Sequence, residues 1–150
     1  MHTKIADIMT RDVQTVRSQD NLQLAAQRMD ELNVGVLPVC DDNILMGVIT
    51  DRDITVRATS AGLLPSLTPV ADVMTQQARY CRPFQTVADV VQKMSDVQIR
   101  RLPVLDDQDR LIGIVSLGDL VTRGGEEDGV DGTLRRISTP SEPDRSGQVT

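Results

Sequence analysis

Gly47-Val48-Ile49-Thr50-Asp51-Arg52-Asp53 and Gly113-Ile114-Val115-Ser116-Leu117-Gly118-Asp119 share one pattern. Each is a glycine, a short β-branched run, a small hydroxyl residue and an aspartate three places later. The apolar run suits the end of a buried strand. The hydroxyl suits a helix N-cap, and the aspartate then falls at the third helical position, a capping box with Asp in place of Glu or Gln. A strand running into a helix start leaves backbone N–H groups free beside the positive end of the helix dipole, which suits a phosphate. The neighbouring carboxylate is an acceptor suited to a sugar diol. Helix capping alone would account for a single copy; two copies inside one internal repeat favour ligand binding.

The elements that must position these residues come from a duplication. Ile5-Ala6-Asp7-Ile8-Met9-Thr10 matches Val70-Ala71-Asp72-Val73-Met74-Thr75 at an offset of 65, and Leu37-Pro38-Val39 matches Leu102-Pro103-Val104 at the same offset. One residue is then inserted in a turn, and Gly47 matches Gly113. Within each copy a short strand is expected, around Val13–Val16 and around Arg79–Cys81. A helix follows, with an apolar stripe of Leu22, Ala25, Ala26, Met29 and Leu32 in the first copy and Val87, Val90, Val91, Met94 and Val97 in the second. Both stripes keep the i, i+3, i+4, i+7 spacing of one helix face. Asn21 and Thr86 suit the N-caps.

A strand through Leu-Pro-Val, a polar turn (Asp41-Asp42-Asn43, or Asp106-Asp107-Gln108-Asp109-Arg110) and a second strand make a hairpin. Pro38 and Pro103 lack an N–H and belong at a strand start or edge. The unit is β-α-β-β-α. Residues 1–62 form the first repeat and 63–123 the second, with a linker at about 61–68. Three short strands cover one face of a unit's sheet, so the fold class expected is mixed α+β, two pseudo-symmetric repeats packed as one domain. Beyond Arg123 a Gly-, Pro-, Ser- and charge-rich stretch reads as a disordered tail, 124–150.

Composition excludes several functions. The 150 residues suffice for a real core. Lys+Arg 16 against Asp+Glu 22 gives a net charge of −6, which argues against a nucleic acid or an anionic membrane as partner. The aromatics are Tyr80 and Phe84 with no Trp, too few for a base-stacking platform. The one histidine, His2, lies at the N-terminus, so neither a metal cluster nor a catalytic triad is assembled. Cys40 and Cys81 form no CxxC pair and read as buried apolar residues of a reducing compartment. No signal peptide or transmembrane run is seen, and a soluble cytoplasmic protein is expected.

The ordered set of paired I/V-A-D-I/V-M-T, L-P-V and G-V-I-T-D-R-D / G-I-V-S-L-G-D segments resembles the cystathionine-β-synthase (CBS) domain family in tandem arrangement, over residues 1–123. The resemblance implies a β-α-β-β-α fold per repeat and two clefts between the repeats. It also implies a non-catalytic regulatory module binding adenosine-containing ligands: AMP, ADP or ATP, a NAD-type dinucleotide or S-adenosylmethionine. A nucleotide is then a regulatory ligand rather than a required cofactor, with Mg²⁺ accompanying it where it is ATP. Such pairs commonly dimerise, and with no effector domain visible the signal would pass to another protein or through the tail.

Carried over by position, the ribose-binding aspartates are Asp53 and Asp119, with Thr50 and Ser116 as hydroxyl partners. The base-contacting positions are Val34 and Gly35, and Ile99 and Arg100. Ile5 and Val70 open the segments that line the base pocket. The resemblance groups Thr50 and Asp53 with Val70, Ile99 and Arg100, and Ser116 and Asp119 with Ile5, Val34 and Gly35. Arg is the natural fork for phosphate oxygens, so Arg100, Arg101 and Arg52 mark the Asp53 cleft as the one for a charged phosphate chain. The alternative reading is a constitutive dimeric scaffold whose clefts are vestigial and empty, to which the Val34-Gly35-Val36 departure lends support. An enzyme is disfavoured, because no nucleophile or histidine base accompanies the aspartates.

Overall fold

A computed structural model describes residues 2–97 and 100–123 of the chain. The tail expected at 124–150, and Ile99, lie outside the described residues. The local rules read from the sequence set most helix starts. Asn21 Oδ1 accepts from the Leu24 amide at 2.8 Å and opens α2 (Leu22–Leu32), which follows a single-turn α1 (Ile5–Ile8). Thr86 and Asp89 exchange side-chain-to-amide bonds at 3.2 Å each and open α3 (Val87–Val97). On α2 the buried face is Leu22, Ala25 and Met29; Ala26 and Leu32, the outer members of the expected stripe, are exposed. On α3 Val87, Val90, Val91 and Met94 are buried.

The strands make two hairpins, β1 (Val36–Asp41) with β2 (Ile44–Thr50), and β3 (Arg101–Leu105) with β4 (Leu111–Ser116). In the first, Asp42 and Asn43 take φ of 51° and 66°, the left-handed pair that a tight two-residue turn requires. The short strands expected near Val13–Val16 and Arg79–Cys81 shrink to single parallel bridges. Val16 pairs with Val39 through Val16 N–H to the Pro38 carbonyl and Cys40 N–H to the Val16 carbonyl. Cys81 pairs with Val104 in the same way through Pro103 and Leu105. Each proline therefore contributes its carbonyl where it has no N–H to give.

The segments that open the repeats do not stay with their own repeats. Thr75 pairs with Val48 of β2, through amide-to-carbonyl bonds of 2.8 and 2.9 Å. Thr10 pairs with Ile114 of β4 at 2.9 Å in both directions. The chain accordingly divides into two compact units that cut across the duplication: Gln14–Ala78 with Asp107–Leu111, and the described residues of 1–13, 79–106 and 112–123. In the first, Val70, Val73 and Met74 share a core with Val16, Leu22, Ala25, Met29, Leu37, Val39 and Ile49. In the other, Ile5, Ile8 and Met9 share a core with α3, Leu102, Val104, Val115 and Leu120. Each fully buried aliphatic side chain contributes on the order of 1.5–3 kcal/mol, so three of them tie each opening segment down firmly.

The glycine that begins each motif is where this pairing needs room. A Cβ on Gly47 would lie 2.3 Å from the Thr75 carbonyl oxygen. On Gly113 it would lie 2.6 Å from the Met9 sulfur and 3.0 Å from the Thr10 carbonyl. A backbone oxygen in a paired strand cannot step aside, whereas a methionine side chain can turn. Gly47→Ala is expected to lower the unfolding free energy by about 3 kcal/mol and Gly113→Ala by about 1 kcal/mol in urea titrations. A Gly47→Ala protein as stable as wild type would contradict the pairing.

Candidate functional site

Both capping boxes form. In the first motif the Thr50 amide donates to Asp53 Oδ2 at 3.1 Å and the Asp53 amide donates to Thr50 Oγ1 at 2.9 Å. In the second the Ser116 amide donates to Asp119 Oδ2 at 3.0 Å and the Asp119 amide donates to Ser116 Oγ at 3.3 Å. The helices they open differ. The first motif leads into a π-helical turn, Asp53–Thr59, closed by the Ser60 amide on the Thr55 carbonyl. The second leads into α4 (Leu117–Arg123), an ordinary α-helix.

The residue two places before each Leu-Pro-Val segment is fastened to the motif of its own repeat. The Asp51 amide donates to the Gly35 carbonyl at 2.9 Å, and the Leu117 amide donates to the Arg100 carbonyl at 3.0 Å. This bond explains why the two copies diverge. A Cβ on Gly35 would come 2.9 Å from Asp51 Oδ2, so an exposed carboxylate sits where the second copy has Leu117 and where Arg100 can carry a full side chain.

The two compact units divide the expected site residues between them. Val34, Gly35, Thr50, Arg52, Asp53 and Val70 belong to one unit. Ile5, Arg100, Arg101, Ser116 and Asp119 belong to the other. Each aspartate shares its unit with the opening segment of the other repeat and with the pre-proline residues of its own. Arg100 and Arg101 are exposed and lie in the unit of Asp119; Arg52, also exposed, lies in that of Asp53. The backbone bond just described binds position 100 to the start of α4. Ile5 and Val70 were expected to line a pocket, yet both side chains are core, each 0% exposed.

The two carboxylates live in different surroundings. Asp53 is 7% exposed. Besides the Thr50 amide, its oxygens face the Thr75 hydroxyl at 3.3 Å each and Arg57 Nε at 3.7 Å. Arg57 also donates to the carbonyls of Val73 and Met74 at 3.3 and 3.2 Å, so the opening segment 70–75 is held on this carboxylate from two sides. Asp119 is half-buried, and among the described residues its carboxylate accepts from the Ser116 amide alone. Thr75 and Arg57 went unread in the sequence as partners of Asp53. The Arg57 spacing, four residues on, was a usable signal; the Thr75 contact is not local.

Other chemistry-bearing groups are quiet. Burial, with the Asp41 charge adding to it, pushes the Cys40 thiol up to about 11. Burial pushes Cys81 up to about 12 against the opposing charge of Lys93. Both remain thiols at neutral pH, unsuited to nucleophilic attack. Among the described residues no three His, Cys, Asp or Glu side chains gather as a metal site would need, and no helix is long and apolar enough to cross a membrane.

Two separate stretches of the chain, residues 5–58 and 70–125, match the CBS domain. The chain belongs to the CBS domain family. A CBS domain-containing protein of Bacillus subtilis, YhcV, is 39% identical over 136 residues, 91% of this chain and 96% of that protein. Among solved structures, Hypoxic Response Protein I, a protein known from Mycobacterium tuberculosis, superposes with a TM-score of 0.73 at 34% identity, covering 81% of this chain and 98% of that one; its crystal holds two coordinated zinc ions. CBSX2 of Arabidopsis thaliana, in complex with AMP, gives a TM-score of 0.70 at 28% identity over 80% of this chain and 94% of that one. The mixed helix-and-sheet CBS pair expected from the duplication is thus the fold of this chain.

The different surroundings of the two aspartates predict unequal structural roles. Asp53→Asn is expected to lower stability by about 2 kcal/mol and Asp119→Asn by about 0.5 kcal/mol at pH 7, read by urea unfolding. Equal losses would contradict the burial and bonding described.

Proposed function

We propose that this CBS pair is a non-catalytic regulatory module that binds an adenosine-containing ligand at its Thr/Ser-x-x-Asp motifs and passes its occupancy to a partner protein. The observation that carries the reading is the recurrence of one formed motif, carboxylate and helix start together, once in each compact unit. The AMP held by the CBSX2 relative supports the ligand class. Arg100 and Arg101, exposed in the unit of Asp119, and Arg52, exposed in that of Asp53, are guanidinium groups suited to phosphate oxygens, whereas the exposed Asp51 carboxylate disfavours a phosphate beside it. AMP, ADP, ATP, a NAD-type dinucleotide and S-adenosylmethionine are the candidates, none of them required for folding, with Mg²⁺ accompanying ATP. A ligand acts by binding one packing of the pair better than another, since differential affinity is all it can use to shift a population.

The reading includes a homodimer in the cytoplasm. Val56, Leu63, Leu64 and Leu67 stand 46, 38, 61 and 75% exposed in one unit, a surface that a second copy would cover. Two buried thiols fit a reducing compartment. The alternative, a constitutive scaffold with vestigial sites, draws on the burial of Asp53, which leaves one of the two carboxylates little open to solvent.

Thermal unfolding with each candidate ligand tests the reading. A ligand at 100 times its dissociation constant adds about 2.7 kcal/mol, a rise of several degrees for a domain of this size. A rise with at least one adenosine compound, absent with guanosine or cytidine nucleotides, is expected. No rise with any of them would leave the scaffold reading.

A further inference from the structure

We infer that Thr75 is a latch on Asp53, so that the two motifs are unequal and only the Asp119 motif is open to ligand in the resting protein. The inference rests on the adenosine-ligand reading and deepens it by assigning the occupied copy and the residue that closes the other.

A carboxylate that recognises a vicinal diol must offer both oxygens to two hydroxyl donors arriving from solvent. Asp53 does not. It is 7% exposed, its Oδ2 accepts the Thr50 amide, and the Thr75 hydroxyl lies 3.3 Å from Oδ1 and from Oδ2 together. The Arg57 guanidinium stands behind Oδ1 at 3.7 Å. The Thr75 hydroxyl is placed there by its backbone, which is paired with Val48 in both directions. The hydroxyl is shared between both oxygens and is held over them by the paired backbone. Thr75 belongs to the segment of the second repeat that is seated on β2 of the first, so a diol reaches Asp53 only when that contact loosens.

The second copy lacks the latch. Thr10, the counterpart of Thr75, is exposed, and among the described residues Asp119 takes its side-chain bond from the Ser116 amide alone. The backbone pairing of Thr10 with Ile114 is the same as that of Thr75 with Val48. The difference lies in the side chains, and neither the motif nor its spacing announces it.

Calorimetric titration of the full chain with AMP tests the latch. Wild type is expected to bind one AMP per chain, with affinity falling at least tenfold in Asp119→Asn. Thr75→Val, close to the same shape without the hydroxyl, should bind two, and the double variant Thr75→Val/Asp53→Asn should return to one. Thr75→Ser, which keeps the donor, should bind as wild type does. Two AMP per wild-type chain, undiminished binding in Asp119→Asn, or a Thr75→Val protein that still binds one would each overturn the latch while leaving the adenosine reading in place. No AMP binding by wild type or by Thr75→Val would overturn the latch, whereas the adenosine reading falls only if none of the candidate adenosine compounds binds. The wild-type stoichiometry and the Asp119→Asn result decide the matter even if Thr75→Val fails to fold.

Discussion

Two backbone pairings, Thr75 with Val48 and Thr10 with Ile114, are the constraint on which the rest of the structure depends. Each brings the segment that opens one repeat onto the second hairpin strand of the other. The buried aliphatic residues of that segment then complete a core that the receiving repeat would otherwise leave open. A repeat built on one two-stranded hairpin has too little apolar surface to stand alone. Exchange of the opening segments makes the two copies depend on each other without any linker contact having to do so. The glycine at the head of each motif follows from this, because a strand cannot be laid against another where a Cβ occupies the same volume.

The same exchange reaches the motif aspartates. The aspartate of each motif stands three residues past the strand that receives the exchanged segment. In the first motif, the segment's own threonine reaches the aspartate. A carboxylate so placed is both a cap and a brace. On the proposed reading, a diol at this carboxylate and Thr75, which belongs to the other repeat, would compete for the same lone pairs, so that binding would draw on the contact between the repeats. In the second motif Asp119 is less enclosed, and the copies diverge at Gly35 against Arg100 and at Asp51 against Leu117.

What could be read from the sequence was what depends on near neighbours. Helix caps at Asn21, Thr86, Thr50 and Ser116 involve residues three apart, and all four form. The hairpins follow from short apolar runs on either side of a polar turn. The duplication itself needed only the offset of 65. The errors are of a different kind. Strands expected at 13–16 and 79–81 became single bridges, because the pairing that would extend them depends on distant partners. Ala26 and Leu32 fit the helical stripe yet face solvent, since the apolar face of α2 that the core can cover is narrower than the pattern suggested. That Arg100 lies in the same unit as Asp119 rests on the bond from the Leu117 amide to the Arg100 carbonyl, a tertiary fact that no local pattern carries. The π-helical turn after Thr50 has no sequence signal that separates it from the α-helix after Ser116.

The exchange of segments can be measured in the intact protein by amide hydrogen exchange, followed residue by residue. Thr10 and Thr75 lie outside regular strands, and as loop residues they would exchange within seconds to minutes. The pairing described predicts instead that their amides are protected to the same degree as those of Ile114 and Val48, their partners across the bridge. Thr10 and Thr75 amides exchanging at the rate of an open loop, with Ile114 and Val48 equally exposed, would contradict it.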